Sequence, residues 1–134
     1  MIDTEINGNT VVEATTSGNV LTLDQIEQSR DAEYAVVDVP EWGGKLRMAS
    51  ATTDMVVELA KRSETGNVVD GIMELLVKSF VDEQGNRSVT DPTQVIRTVA
   101  ALKQKEAKVI ERLINTLLKL NNIRIKAPGF TSEV

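Results

Sequence analysis

The chain has 134 residues, enough for one domain with a modest core. Its hydrophobic content of 41% is ordinary for a globular protein, but aromatic residues make up only 3%, so the core must be built from aliphatic side chains. Cysteine and histidine are absent, which excludes disulfides, thiolate metal sites, cysteine nucleophiles and Ser-His triads. The formal net charge of −5 argues against a nucleic-acid partner, because such proteins normally carry a basic footprint.

The ends of the chain and its hydropathy predict its domain organisation. No segment approaches the ~18 consecutive apolar residues of a membrane span. The opening stretch MIDTEINGNT lacks the basic region and apolar run of a secretory signal, so we expect a cytoplasmic protein without a membrane partner. Polar composition predicts a flexible N-terminal arm over residues 1–20 and a C-terminal tail over residues 125–134, flanking a single domain over residues 21–124.

The first predicted element of this domain is a short helix. Thr22 and Gln25 have the spacing of a loose capping box, which predicts a helix from about Leu23 to Ala32. Leu23, Ile26 and Ala32 would face inward.

The period then changes from helical to two, which predicts a β-hairpin near residues 34–49. Alternation places Tyr34, Val36 and Asp38 on one face of its first strand, and Ala35, Val37 and Val39 on the other. Pro40 ends this strand because it cannot donate to a ladder. Gly43 and Gly44 are expected to supply the positive φ values of a tight turn before the returning strand KLRMA.

Four helical segments complete a mainly α fold of four to five helices. The first, from about Thr53 to Gly66, has an apolar stripe of Val56, Leu59 and Ala60. The next, from about Val68 to Val81, should be the most buried and ends at the turn DEQGN. Its inward positions are Val69, Ile72, Met73, Leu76 and Phe80.

Local signals define the start of the fourth helix and the apolar face of the fifth. Asp91 and Pro92 have the residue types of an N-cap and a first helical position. The final helix has an apolar face that predicts either core packing or a surface offered to a partner helix. Its residues are Ile110, Leu113, Ile114, Leu117 and Leu120, and all of them except Ile114 follow a heptad spacing.

No motif supports catalysis or a cofactor. Asp82, Gln84 and Asn86 occupy the first three ligand positions of a calcium loop, but Arg87 and Thr93 stand where it needs glycine and glutamate. A turn built around Gly85 explains this segment. The paired glycines precede no phosphate-binding pattern. The carboxylates lie on polar helix faces or in turns, so we expect no enzyme, no metal and no cofactor.

Three separated motifs occur along the chain. The first is VDVPEWGG followed by a strand with a basic residue, the second is VDEQGN followed by an acidic residue, and the third is a closing Leu-Asn pair. Together they resemble the motifs of the phage tail assembly chaperones. The resemblance extends from about Leu23 to Ile123. The matching positions are Val37, Val39, Pro40, Glu41, Trp42, Gly43, Gly44, Arg47, Val81, Asp82, Glu83, Gly85, Asn86, Asp91, Leu120 and Asn121.

This resemblance implies a role in assembly. Such chaperones are absent from the finished particle, bind the helical tape-measure protein, keep it soluble and help recruit tail-tube subunits. It implies the tape-measure and tail-tube proteins as partners, together with self-association, in the host cytoplasm. A small acidic protein with spare apolar helix faces would suit that task, because it could cover a client's apolar stripes and keep the complex soluble.

Trp42 and Arg47 have two interpretations. In the first, Pro40, Gly43 and Gly44 fix the turn and Trp42 fastens it to the helices. In the second, Trp42 and Arg47 present a partner-binding edge, with Ile110, Leu113 and Leu117 as further candidates, because Trp and Arg are favoured interface anchors.

Two other functions compete with a chaperone. One is a neck or tail-completion subunit retained in the virion, whose strands and N-terminal arm add to a neighbour's sheet. The other is a host-directed regulator that imitates DNA with its negative surface, which the interspersed lysines and arginines disfavour.

Overall fold

The structure is a computed structural model that describes residues 19–123 and the backbone of two short strands beyond them. The helices of this part of the chain are α1 (Leu23–Gln28), α2 (Thr53–Glu64), α3 (Val68–Ser79), α4 (Pro92–Leu102) and α5 (Ala107–Leu120). The strands are β1 (Tyr34–Val39), β2 (Gly44–Ala49), β3 (Phe80–Val81), β4 (Lys126–Ala127) and β5 (Phe130–Thr131). The predicted mainly α fold with one hairpin is confirmed.

The chain divides into two compact units with a boundary between Asp31 and Ala32. In the described part of the first unit, Thr22 caps α1 by the predicted reciprocal bonds with Gln25. The helix ends at Gln28 rather than Ala32, because Ser29 is already extended. None of the α1 residues is buried, so the expected inward orientation of its apolar side chains is wrong. The proposed arm lies almost entirely outside the described residues, and the domain limits at 20 and 124 remain predictions.

The second unit contains an antiparallel sheet in the order β1-β2-β3. In β1, Val37 and Val39 are buried while Tyr34 and Val36 are exposed, as alternation predicted. β3 was not expected, since Phe80 and Val81 were assigned to the preceding helix. These two residues leave the helix because they pair with Met48 and Arg47 of β2.

The core lies between this sheet and helices α2 to α5. Its largest fully buried side chains include Met48 from the sheet, Leu76 from α3 and Leu113 from α5. At the α2–α3 contact, a Cβ added to Gly71 would lie 2.9 Å from Leu59 Cδ1 and 3.0 Å from Arg62 Cβ, so glycine permits the two helices to approach closely.

Two predicted inward faces need correction. In α2, Leu59 is buried as expected, but Val56 and Ala60 are exposed, and Met55 packs against the core instead. Position 55 lies one turn before 59, so the inward face is shifted by one residue from the predicted stripe. In α3, Val69 is 37% exposed because it lies in the first turn of the helix.

The segment predicted as a tail carries the short strands β4 and β5. They pair antiparallel in a separate two-stranded sheet, with Lys126 opposite Thr131.

Candidate interaction surface

The turn between β1 and β2 is a rigid 3-10 turn over Pro40–Trp42. It closes by a hydrogen bond from the Gly43 N–H to the Pro40 carbonyl at 3.0 Å. Gly43 has φ +80°, the left-handed conformation that favours glycine. Gly44 is the first residue of β2, opposite Val39, and is not among the glycines with positive φ. One residue therefore supplies the reversal, and the expectation for Gly44 is wrong.

An ion pair fixes this turn to α5. The Arg112 guanidinium donates to both carboxylate oxygens of Glu41, from Nη1 to Oε1 at 2.9 Å and from Nη2 to Oε2 at 2.8 Å. Arg112 Nη1 also reaches the Asp38 carbonyl at 3.4 Å. The hydrogen bonds from Arg112, with a smaller contribution from the backbone N–H of Glu41 itself, lower the pKa of the Glu41 carboxyl to about 2. Glu41 therefore stays ionised through the neutral range.

Trp42 ends the 3-10 turn and is an exposed large apolar residue outside the core cluster. Its side chain is 37% exposed, and Lys105 Nζ lies 6.0 Å from its ring centroid, at the outer limit of a cation–π contact. The ring therefore meets the link between α4 and α5 on one side and solvent on the other. Both interpretations of Trp42, as a fastener and as an interface anchor, fit this position.

Arg47 is engaged within the fold. Its guanidinium carbon lies 4.4 Å from the ring centroid of Tyr34, and its Nη1 donates to the Glu83 carbonyl at 2.6 Å. A carbonyl oxygen of the neighbouring Asp82 lies at 3.5 Å. Arg47 thus joins β2 to the turn that follows β3, and only part of its side chain remains to meet a partner.

The turn after β3 has the predicted role of a glycine-containing reversal. The Asp82 carboxylate oxygen Oδ1 accepts the N–H groups of Gln84 and Asn86, both at 2.9 Å. Gly85 has φ +87°, and a Cβ there would lie 3.0 Å from the Tyr34 hydroxyl. The carboxylate therefore bonds its own turn, and no group of metal-binding side chains is found in the part of the chain that the structure describes.

The α5 candidates lie inside the domain. Leu113 and Leu117 are fully buried, and Ile110 is 7% exposed. All three belong to the core cluster, so the structure agrees with the core-packing interpretation of this helix face. A partner could reach these side chains only if α5 left its place.

Residues of the three motifs behind the family resemblance each bond another element of the fold. The first reaches α5 through Glu41 and Arg112, and its basic residue Arg47 binds the second motif. The third motif returns to the end of β2, where the Ala51 N–H donates to Asn121 Oδ1 at 2.6 Å. Asn121 also donates from Nδ2 to the Leu117 carbonyl at 2.9 Å. The motif residues therefore contribute polar contacts between the sheet, the turns and α5.

A groove between α3 and α4 is the surface that sequence reasoning missed. It encloses about 280 Å³ and is bordered by two ion pairs. One runs from Arg62 on α2 to Glu74 on α3 at 2.8 Å, and the other from Lys103, directly after α4, to Asp70 on α3 at 2.9 Å. Its lining residues are Arg62, Asp70, Glu74, Ile96, Val99, Ala100 and Lys103.

Ile96 is the most exposed large apolar side chain of this groove, at 69%. A signal for it exists in the sequence, because Ile96 and Ala100 are four residues apart and form a second apolar stripe beside the buried Val95 and Val99. Apolar residues on an exposed helix face are common, which is why periodicity alone does not single this pair out.

Comparison with known proteins gives one solved structure. No protein-family model matches the chain. No curated protein sequence matches it either. Among solved structures, the chain is similar to the bacteriophage HK97 tail assembly chaperone, with a TM-score of 0.55 at 17% sequence identity, over 77% of this chain and 96% of that one. None of the described helices is long and apolar enough to cross a membrane. At this identity the likeness shows the fold alone: the architecture described above is similar to that of a solved tail assembly chaperone.

Proposed function

We propose that the chain is a phage tail assembly chaperone, which binds the tape-measure protein, keeps it soluble and helps recruit tail-tube subunits around it. The observation that carries the proposal is the fold similarity to the HK97 tail assembly chaperone over 96% of that protein. The three sequence motifs support it further, because they resemble the motifs of that family.

A binding role rather than catalysis suits the polar groups of the domain. Glu41, Glu74 and Asp70 each hold an arginine or lysine on another element. Asp82 serves its own turn. These carboxylates therefore act in the architecture, and we propose a function that needs no cofactor.

We further propose that the α3–α4 groove receives a helix of the tape-measure client. Ile96 and the partly covered α4 surface beside it offer an apolar contact, and the bordering ion pairs offer charges of both signs. An amphipathic helix would lay its apolar side chains on such a strip and place its flanking charges beside the border. Covering the client's apolar stripe in this way would prevent its aggregation.

The remaining partners follow from the same role. We propose that the tail-tube protein binds once the client is held, that the chain associates with itself, and that this takes place in the host cytoplasm without nucleic acid or membrane. The net charge of −5 would help keep the assembly soluble.

Co-expression with the tape-measure protein tests this proposal. We expect the client to be soluble with the wild-type chain and to aggregate with Ile96→Glu, because the new carboxylate would be desolvated by an apolar client residue. Val57→Glu is the matched control, since Val57 is 45% exposed on α2 and receives the same charge. If the client's solubility does not depend on the chain, the chaperone proposal is wrong. If the client is equally soluble with Ile96→Glu and with Val57→Glu, the groove is not the binding site.

A further inference from the structure

The outer edge of β1 carries backbone groups that bond no other strand in the part of the chain that the structure describes. β1 is the edge strand of the sheet, with β2 on its inner side only. The Ser50 N–H donates to the Glu33 carbonyl at 2.8 Å, so this pair is a hydrogen-bonded pair of the antiparallel ladder. Because such pairs alternate along the ladder, the backbone N–H and C=O groups of Ala35 and Val37 also point toward β2. Tyr34, Val36 and Asp38 then direct their N–H and C=O groups outward.

Arg112 limits the length of this open edge. Its Nη1 donates to the Asp38 carbonyl at 3.4 Å, so an α5 side chain already bonds the C-terminal end of β1. The open part is centred on Tyr34 and Val36. These residues are 45% and 58% exposed, so the outer face beside the edge is only partly covered, with Arg47 over the Tyr34 ring.

The usual devices that protect an edge strand are weak along this open part. A proline, a bulge or an inward-pointing charge would discourage pairing. The residues Tyr34 to Val37 contain none of these, and Pro40 follows only after the strand has ended.

We propose that this edge pairs antiparallel with the same edge of a second copy, with a two-fold axis between the two Ala35 residues. In this register Tyr34 of each copy faces Val36 of the other, and each of these pairs exchanges two backbone hydrogen bonds. The outer face then holds two aromatic–β-branched pairs, a favourable cross-strand combination. No like charges face each other, and the Asp38 carbonyls stay outside the paired segment.

This self-complementarity favours a second copy over an unrelated strand. Under a two-fold axis each copy contributes the same residues to the contact. The open positions Tyr34 and Val36 of one copy therefore pair with Val36 and Tyr34 of the other. The result is a continuous six-stranded sheet. Because so short a segment buries little surface, the dimer should be weak and concentration-dependent.

This dimer rests on the proposed function, which includes self-association, and assigns that self-association to the open edge of β1. Its test uses the chain alone, so its failure leaves the client-binding proposal standing, and failure of client binding leaves the dimer standing.

Sedimentation of the purified full chain over concentrations from about 10 μM to 1 mM tests the dimer, a range suited to a weak interface. We expect reversible dimerisation by the wild type. Val36→Lys should raise the dissociation constant by ~10-fold or more, because lysine on an edge blocks pairing and the two copies would repel. Val57→Lys, with the same charge change at a similarly exposed position on α2, should dimerise like the wild type.

A cysteine pair reads the register directly, because the chain has no cysteine of its own. Across the proposed axis, the two Ala35 residues form a non-hydrogen-bonded pair with Cα atoms about 4.5 Å apart, within disulfide range. Ala35→Cys should therefore give a crosslinked dimer on mild oxidation, and Val57→Cys should not. The proposal is overturned if the wild type stays monomeric, if Val36→Lys dimerises normally, or if both cysteine variants crosslink equally. A monomeric chain whose Val36→Lys variant loses client binding would instead assign the edge to a strand of the client.

Discussion

Single arginines connect the elements of this protein. Arg47, Arg62 and Arg112 each bond a second element or turn, and Arg87 does the same. It donates from Nη1 to the Lys78 carbonyl at 3.0 Å and from Nη2 to the Ser50 carbonyl at 2.9 Å, joining the end of α3 to the end of β2. Burial lowers the pKa of the Arg87 guanidinium, which nevertheless remains protonated. With an aromatic content of only 3%, the chain fastens its irregular segments by such carbonyl contacts.

The Glu41–Arg112 pair predicts a pH dependence at the scale of one residue. The pKa of Glu41 falls from its ordinary value of 4.5 to about 2 on folding, so the pair contributes stability above pH 4.5 and loses it as pH falls through about 2. We expect Glu41→Gln to unfold at a lower temperature than the wild type at neutral pH. The difference in midpoint should decrease below pH 4.5 and vanish near pH 2.

The control for this prediction is Glu64→Gln, because Glu64 is exposed and has no ion pair in the part of the chain described. Its thermal midpoint should follow that of the wild type through the acid range. A Glu41→Gln difference that persists unchanged at pH 2 would show that the carboxylate's charge is not what stabilises the turn.

Helix packing gives a prediction at the element scale. Gly71→Ala would gain about 1 kcal/mol of helix propensity in an isolated helix. Here the new Cβ meets Arg62 Cβ at 3.0 Å and Leu59 Cδ1 at 2.9 Å, and such overpacking costs about 1–3 kcal/mol. Because Arg62 Cβ is held by the α2 backbone, we expect a net loss of about 1 kcal/mol in the free energy of unfolding, measured by urea denaturation. A gain in stability would mean that α2 and α3 lie further apart.

The two groups of candidate partner residues should differ in their effect on stability. Leu113→Ala removes a fully buried side chain of α5 and should cost about 3 kcal/mol. Trp42 is 37% exposed, so Trp42→Ala should cost less, about 1–2 kcal/mol for the partial burial that is lost. Denaturant titration of both variants measures this. Equal costs would make Trp42 a core residue, whereas a stable Trp42→Ala variant that fails to capture the client would make it an interface anchor.

The elements that the sequence predicted best are those with one dominant local signal. The capping box of α1, the alternation of β1 and the Asp91–Pro92 start of α4 depend on neighbouring residues only. The errors arise where tertiary contacts decide. Pairing with β2 takes Phe80 and Val81 out of the helix, and packing on the core selects Met55 rather than Val56 in α2.

At the scale of the whole molecule, the candidate site was predictable in part. The motif residues could be identified from the chain, but their mutual contacts could not, because Glu41 and Arg112 are separated by 71 positions. The α3–α4 groove was missed because it depends on how three consecutive helices pack, and because its apolar residues have ordinary helical spacing.

The architecture separates two faces by role. Motif residues hold the sheet against α5, whereas the groove with Ile96 on α4 and the open edge of β1 remain uncovered in the described part of the domain. The proposed chaperone uses the groove for its client and the edge for a second copy. A virion subunit, the competing function, would use the same surfaces but remain in the particle.

The most direct test of the chaperone claim is mass spectrometry of purified particles, run together with a tagged pull-down from producing cells. The account predicts that a very long helical protein is enriched in the pull-down and that this chain is missing from the finished particles. Its presence in particles at a fixed stoichiometry would contradict the account and identify a structural subunit.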